Sequence, residues 1–242
     1  MKKYSLALTV LLGSLLFSLS YAQTPGRGLD SLYSGYTPTV MNSQADVDQL
    51  FNDMPMGFKT EGFLRSGSQC FHRAQIWTYD MVRNRGITPM KVFVFYTFAY
   101  KKAYLAQFGH KFIWWFHVAP YVLTHDQYGS LKESVVDPTF ADTALDMGPW
   151  SQLFVETHKP CKEWVRYQDF KNEVVEGPNA YVGTEHCYLV RVPATDFDPP
   201  AVEARDLGQT GGYQWNLADV KIAVEQACVN STRDSFMARL GL

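Results

Sequence analysis

Beyond its first two dozen residues the sequence lacks any long uncharged apolar stretch. Nothing in the body of the chain therefore has the roughly 20 apolar residues that a bilayer-crossing helix needs. There is no internal repeat, no low-complexity tract and no block of like charge. Lys and Arg number 22 against 24 Asp and Glu, and a net charge of −2 excludes the basic footprint that nucleic acid or an acidic membrane surface requires. Partners have to be recognised by shape and local chemistry. Cysteine is scarce as well, with four in the chain, so each of Cys70, Cys161, Cys187 and Cys228 can be weighed singly.

What is present begins with an export signal. Lys2 and Lys3 precede an apolar run from about Leu6 to Leu19, and Ser20-Tyr21-Ala22 places small residues three before and directly before a cut after Ala22. Residues 1–22 are read as a signal peptide and residues 23–42, rich in Gly, Pro, Ser and Thr without periodicity, as an extended arm; residues 43–242 form a single domain. The mature protein is expected to be secreted or periplasmic, with no membrane attachment after cleavage. Hydrophobic residues at 46% and charged ones at 19% are ordinary for a folded domain of this size.

Periodicity divides that domain. Ser43 is placed to cap a helix carrying Val47, Leu50 and Phe51 at helical spacing. After a loop with Pro55, Gly57, Gly62 and Gly67, a second helix is expected from Cys70 to about Asn84, closed by Gly86. The period then changes to that of strands in residues 91–98 and 112–119, with a shorter run, Ser134 to Asp137, halted by Pro138. Helix, strand, strand and strand with turns between them predict an antiparallel sheet packed on helices, the α+β class. Further on, Trp150 to Phe154, Thr184 to Val192 and Leu217 to Val229 read as helix, strand and helix, the last capped by Asn216.

Cys70 is the residue with chemistry in its setting. It falls in the first turn of a helix, behind Arg65-Ser66-Gly67-Ser68-Gln69, where the helix dipole and unpaired amides stabilise a thiolate and could hold a developing oxyanion. Cys70 is read as a free thiol, and one disulfide is expected among Cys161, Cys187 and Cys228, its pairing left open. A thiol nucleophile needs a base. His72 shares its helix turn but points to another face, whereas His117 interrupts an apolar strand, where a polar ring needs a partner or a task. Asp137, at the end of the next strand, can accept the far N–H of that ring and fix its tautomer.

Four segments carry a family resemblance: Gln69-Cys70-Phe71-His72-Arg73-Ala74-Gln75, Lys91-Val92-Phe93-Val94-Phe95-Tyr96, Trp115-Phe116-His117-Val118-Ala119 and Val135-Val136-Asp137-Pro138-Thr139-Phe140. In order and spacing they resemble the active-site blocks of the protein-glutaminase (protein-glutamine deamidase) family, and the helix at Asp46 to Asp53 is similar to that family's first mature helix. The resemblance covers about residues 44–150 and weakens beyond. It implies a papain-like and transglutaminase-like core with the nucleophilic Cys at a helix N-terminus: Cys70 as nucleophile, His117 as acid and base, and Asp137 as orienter. Protein or peptide substrates with accessible glutamine would be converted to glutamate with release of ammonia, through a thioester and without any metal or organic cofactor. Arg73 would be structural. Gln75 stands where the family has His, Gln69 where it has a small residue, and Thr139 where Ser is common. The stretch between the cut and Cys70 is about as long as the mature start alone, so no inhibitory pro-segment is expected.

Other readings stay open at this point. The same triad serves transglutaminases and cysteine peptidases, because a thioester can be intercepted by an amine and a papain-like core can cleave amides. A secreted binding protein could retain the fold without the chemistry, using Trp114, Trp115, Trp150 and Trp164 along a groove. A zinc site from His158, Cys161, His186 and Cys187 suffers from two adjacent ligands, and a disulfide would consume its thiols.

Overall fold

The structure, a computed structural model, describes residues 33–59, 70–96, 116–154, 161–163, 166–168 and 187–242. The expected signal peptide, the lead-in to Cys70 and the segment before Phe116 lie outside the described residues, as do His110, His158, His186 and the tryptophans at 114, 115 and 164.

The helix α1 spans Gln44–Asn52, and the Ser43 side chain accepts from Asp46 N–H as its N-cap. Its Val47, Leu50 and Phe51 are the buried face. The helix α2 spans Cys70–Arg85 and is buried almost all round, from His72 to Met81. A helix apolar or buried on every side belongs in the middle of a fold. Ala74 meets the sheet, Ile76 and Tyr79 meet the C-terminal helices, and Trp77 and Met81 meet α1. Gly86, at φ 64°, provides the left-handed turn that ends α2, and Ile87 N–H returns to Met81 C=O.

The sheet is built from β1 (Met90–Tyr96), β2 (Phe116–His125), β3 (Leu131–Val135), β4 (Leu145–Asp146), β5 (Lys162–Glu163) and β6 (Cys187–Pro193), in the order β4-β3-β2-β1-β6-β5. Every pair is antiparallel except β5 with β6. The fold is thus α+β, an antiparallel sheet packed on helices, with one short parallel strand at an edge that the sequence did not signal. Both faces of β1 are covered. Phe93 and Phe95 turn with Val118, Val190 and Val192 toward α2, while Met90, Val92 and Val94 turn with Ala119, Tyr121 and Leu189 toward a second layer. That layer includes Trp150 of the short helix α3 (Met147–Gln152), followed by Phe154. Full burial of such side chains contributes about 1.5–3 kcal/mol each before chain entropy is counted.

Three elements depart from the periodicity reading. The second strand continues through Pro120 to His125, and Pro120 gives its carbonyl to Val136 N–H (2.9 Å), so the ladder passes a residue that breaks most strands. Asp137 stands two residues beyond β3 rather than at its end, at the head of a turn in which its carbonyl accepts from Phe140 and Ala141 N–H. Two helices that carry no clear apolar stripe, α4 (Pro199–Asp206) and α6 (Asn230–Leu240), flank α5 (Leu217–Ala227), which is capped by Asn216 as expected. The sequence of α6 buries only Phe236 and Leu240, and Arg239 near its end binds the fully buried Asp80 of α2 through two hydrogen bonds.

Cys161 and Cys187 form a disulfide, bringing β5 to the start of β6, while Cys70 and Cys228 are free. A zinc site built on the Cys161 and Cys187 thiols is incompatible with that bond. Among the described residues no three His, Cys, Asp or Glu side chains come together as metal ligands, and no helix is long and apolar enough to cross a membrane.

Candidate active site

Cys70 is the first residue of α2 and half-buried. The amides of a helix's first turn have no intrahelical acceptors, so the sulfur sits at the positive end of a 16-residue helix. His117 is the second residue of β2, opposite Val94 of β1, and only 1% exposed. The alternation of β2 turns it with Ala119 toward the Trp150 layer. Phe154 and Phe140 flank its ring at centroid distances of 4.5 and 4.8 Å.

Asp137, also 1% exposed, meets His117 across a 2.8 Å contact between Oδ2 and Nε2. With Nε2 taken by the carboxylate, Nδ1 is the nitrogen left to face the nucleophile, and Cys70 is close enough to act on the ring electrostatically. Burial opposes a charge on this imidazole. The Asp137 carboxylate, through its charge and its hydrogen bond, and then Cys70 outweigh that penalty and push the pKa up to about 9. The ring therefore holds its second proton at neutral pH. The structure brings together all three residues singled out from the sequence.

Three neighbours were not foreseen as parts of this arrangement. Trp150, assigned above to a possible groove, is wholly buried, and its indole N–H donates to Asp137 Oδ2 at 3.1 Å. Phe140 and Phe154 pack their rings against His117. The only sequence signal was an excess of aromatics downstream of Asp137, which does not separate a site wall from ordinary core.

The rest of the motif around Cys70 is structural. His72 packs on Phe71 and Phe197. Burial, assisted by the positive charges of Lys59 and Arg73, pushes its pKa down to about 4. Arg73 is 2% exposed. Gln75 is fully buried, and its Oε1 accepts from Lys91 Nζ, which also donates to Asp196 C=O at 2.8 Å. Burial lowers the Lys91 pKa to about 7, against the attraction of Asp196, Asp198 and Asp219. Gln75 thus ties α2 to β1 and the β6–α4 turn, and its difference from the family residue lies in the core rather than on a substrate surface.

Residues 48–154 match the family model described as glutaminase. Among solved structures, the NMR structure of protein-glutaminase from Chryseobacterium proteolyticum is 16% identical, with a TM-score of 0.42, over 84% of this chain and 98% of that one. A crystal structure of protein-glutaminase is likewise 16% identical at a TM-score of 0.42, over 81% of this chain and 95% of that one. A crystal structure of pro-protein-glutaminase is 16% identical at 0.41, covering 85% of this chain and 68% of its own. No curated protein matches this chain. The segment that matches the glutaminase model, residues 48–154, is the part of the chain that holds Cys70, His117 and Asp137.

Proposed function

We propose that this protein is a secreted protein-glutamine glutaminase that uses Cys70, His117 and Asp137 to deamidate glutamine side chains of proteins or peptides. The observation that carries the reading is the buried contact from His117 Nε2 to Asp137 Oδ2, with Cys70 at a helix start and close enough to help raise the pKa of that ring. The glutaminase family match over residues 48–154 supports a hydrolase of the deamidase class. Residues 43–242 act as one catalytic domain, behind a signal peptide cut after Ala22 and an arm over 23–42. The Cys161–Cys187 disulfide suits an oxidising compartment.

The Cys70 sulfur, its proton held on His117, attacks the carboxamide carbon, and the carbonyl oxygen takes up the charge of the tetrahedral intermediate. First-turn amides of α2 are the donors available to that oxygen. Collapse of the intermediate breaks the C–N bond. His117 gives its proton to the departing nitrogen, so ammonia leaves and a thioester stays on Cys70. His117 then takes a proton from water, the hydroxide equivalent adds to the thioester carbon, and the C–S bond breaks to release glutamate and regenerate the thiolate–imidazolium pair. Asp137 holds the ring in one tautomer throughout and stabilises its charge. No step calls for a metal or organic cofactor.

The test is incubation of the mature protein with a glutamine-containing protein and a blocked glutamine peptide, following ammonia and a mass gain of about 1 Da per site, with C70A as the control. Ammonia and glutamate that vanish in C70A are the expected result. Cysteine-dependent cleavage or cross-linking without net deamidation would move the function to peptidase or transglutaminase. No cysteine-dependent chemistry on a broad panel would overturn the enzyme reading.

A further inference from the structure

The carboxylate that serves His117 has a second donor on the same oxygen. Asp137 Oδ2 accepts from Trp150 Nε1 at 3.1 Å while it lies 2.8 Å from His117 Nε2, and all three side chains are at most 1% exposed. A buried indole N–H needs an acceptor, and a backbone carbonyl would satisfy it as well. Here the acceptor is the carboxylate of the candidate triad.

The backbone of Asp137 is fixed by the turn in which its carbonyl accepts from Phe140 and Ala141 N–H, both at 3.1 Å. That turn does not fix the carboxylate, because the terminal torsion of an aspartate is broad and roughly two-fold and leaves either oxygen free to rotate into place. Trp150 adds the missing lateral anchor, and it comes from a separate element, α3, wholly buried in the layer that covers this face of the sheet.

We infer that Trp150 is a positioning residue: its indole N–H pins Asp137 Oδ2 in the plane and direction that His117 Nε2 requires, and so holds His117 aimed at Cys70. The inference rests on the proposed roles of those three residues. It extends the site to a side chain that never touches substrate and acts only through Asp137.

Three proteins test it: W150F, the variant with the benzothienyl isostere of tryptophan at position 150, which keeps the bicyclic shape but has no N–H, and the double variant W150F/D137N. Each is compared with its parent, wild type or D137N, after a melting curve establishes that it folds. The readouts are deamidation kinetics, the rate of Cys70 alkylation by iodoacetamide followed on the Cys70 peptide, and the downfield NMR proton of His117 Nε2. Loss of one hydrogen bond to a charged group predicts a fall of about 10- to 100-fold in kcat and in alkylation rate at pH 7. KM should stay within about twofold, and the Nε2 proton should broaden or move upfield. In the D137N background the added W150F change should cost less than about twofold, because residues acting through one another are not additive. The benzothienyl variant should match W150F, and it carries the test if W150F does not fold. Rates within about twofold of wild type in the isostere variant, or an undiminished Trp150 effect in the D137N background, would overturn the inference. Alkylation and NMR need no glutamine turnover, so a wild-type protein that shows these effects and deamidates nothing sinks the functional reading and leaves the role of Trp150 standing.

Discussion

His72 and His117 are both buried, and burial drives each toward the neutral ring, yet they end on opposite sides of neutrality, at about 4 and about 9. The difference is in the company. His72 sits on α2 among Phe71 and Phe197, with Lys59 and Arg73 as the charges in range, so everything around it disfavours a second proton. His117 is more deeply enclosed, but a carboxylate lies 2.8 Å from one nitrogen, and Cys70 adds to its pull on the second proton. Two histidines that a composition table cannot tell apart become a core residue and a proton carrier, because only one has a buried anion beside it.

The comparison can be broken most severely at its reactive end. C70A should abolish deamidation, a loss of at least about a thousandfold in kcat measured by ammonia release, while H72F should leave the chemistry within a few-fold of wild type. Equal losses in both variants would erase the distinction between the two histidines.

Next in size is the partner. D137N keeps the shape but takes the charge from His117 and can favour the wrong tautomer, so kcat should fall by about 10³- to 10⁴-fold. The alkaline limit of kcat/KM should move to lower pH as the support for the imidazolium goes. A D137N profile that overlays wild type would show that His117 does not depend on this carboxylate.

The pH dependence sharpens the contrast without mutation. In the proposed mechanism the His117 proton goes to the departing nitrogen, so kcat/KM should decline as pH rises through about 9. In stability the same group binds its proton more tightly folded than unfolded. Its contribution is complete below about pH 6.5 and is lost as pH rises from there through about 9, which urea titrations at pH 6.5 and 9.5 will read.

The smallest effect is the mirror image. His72 binds a proton more weakly folded than unfolded, so it costs nothing above about pH 6.5 and lowers stability as pH falls from there through about 4. After allowance for solvent screening the acid-side loss should be on the order of 1–2 kcal/mol. H72F should flatten the stability curve between pH 6.5 and 4.5 by that amount, and an unchanged slope would place the acid sensitivity elsewhere.

The legibility of the molecule follows from which interactions are local. α1, α2 and β1 were readable because Ser43, Gly86 and the run from Lys91 to Tyr96 act on their own segment, by capping, by a left-handed turn and by β-branched and aromatic bulk. The second strand runs on past the 112–119 segment that composition predicts, through Pro120 to His125, because the partner that keeps Pro120 in the sheet, Val136 N–H, is distant in sequence. α6 was missed because its helicity owes little to an apolar stripe and much to Phe236 in the core and Arg239 on Asp80, across 159 positions of chain.

The sequence by itself determined that Cys70 opens a helix, that His117 interrupts an apolar strand and that Asp137 follows soon after, since each of these is a matter of nearest neighbours and period. Which cysteines join, which nitrogen of His117 meets the carboxylate, and that Trp150 shares the oxygen of Asp137 were decided only by the tertiary structure. Those choices depend on how β5 and β6 pair and on how α3 lies over the sheet. The burial that drives the second proton off His72, and the buried carboxylate that holds it on His117 against the same effect, are properties of the assembled core, not of any stretch of chain.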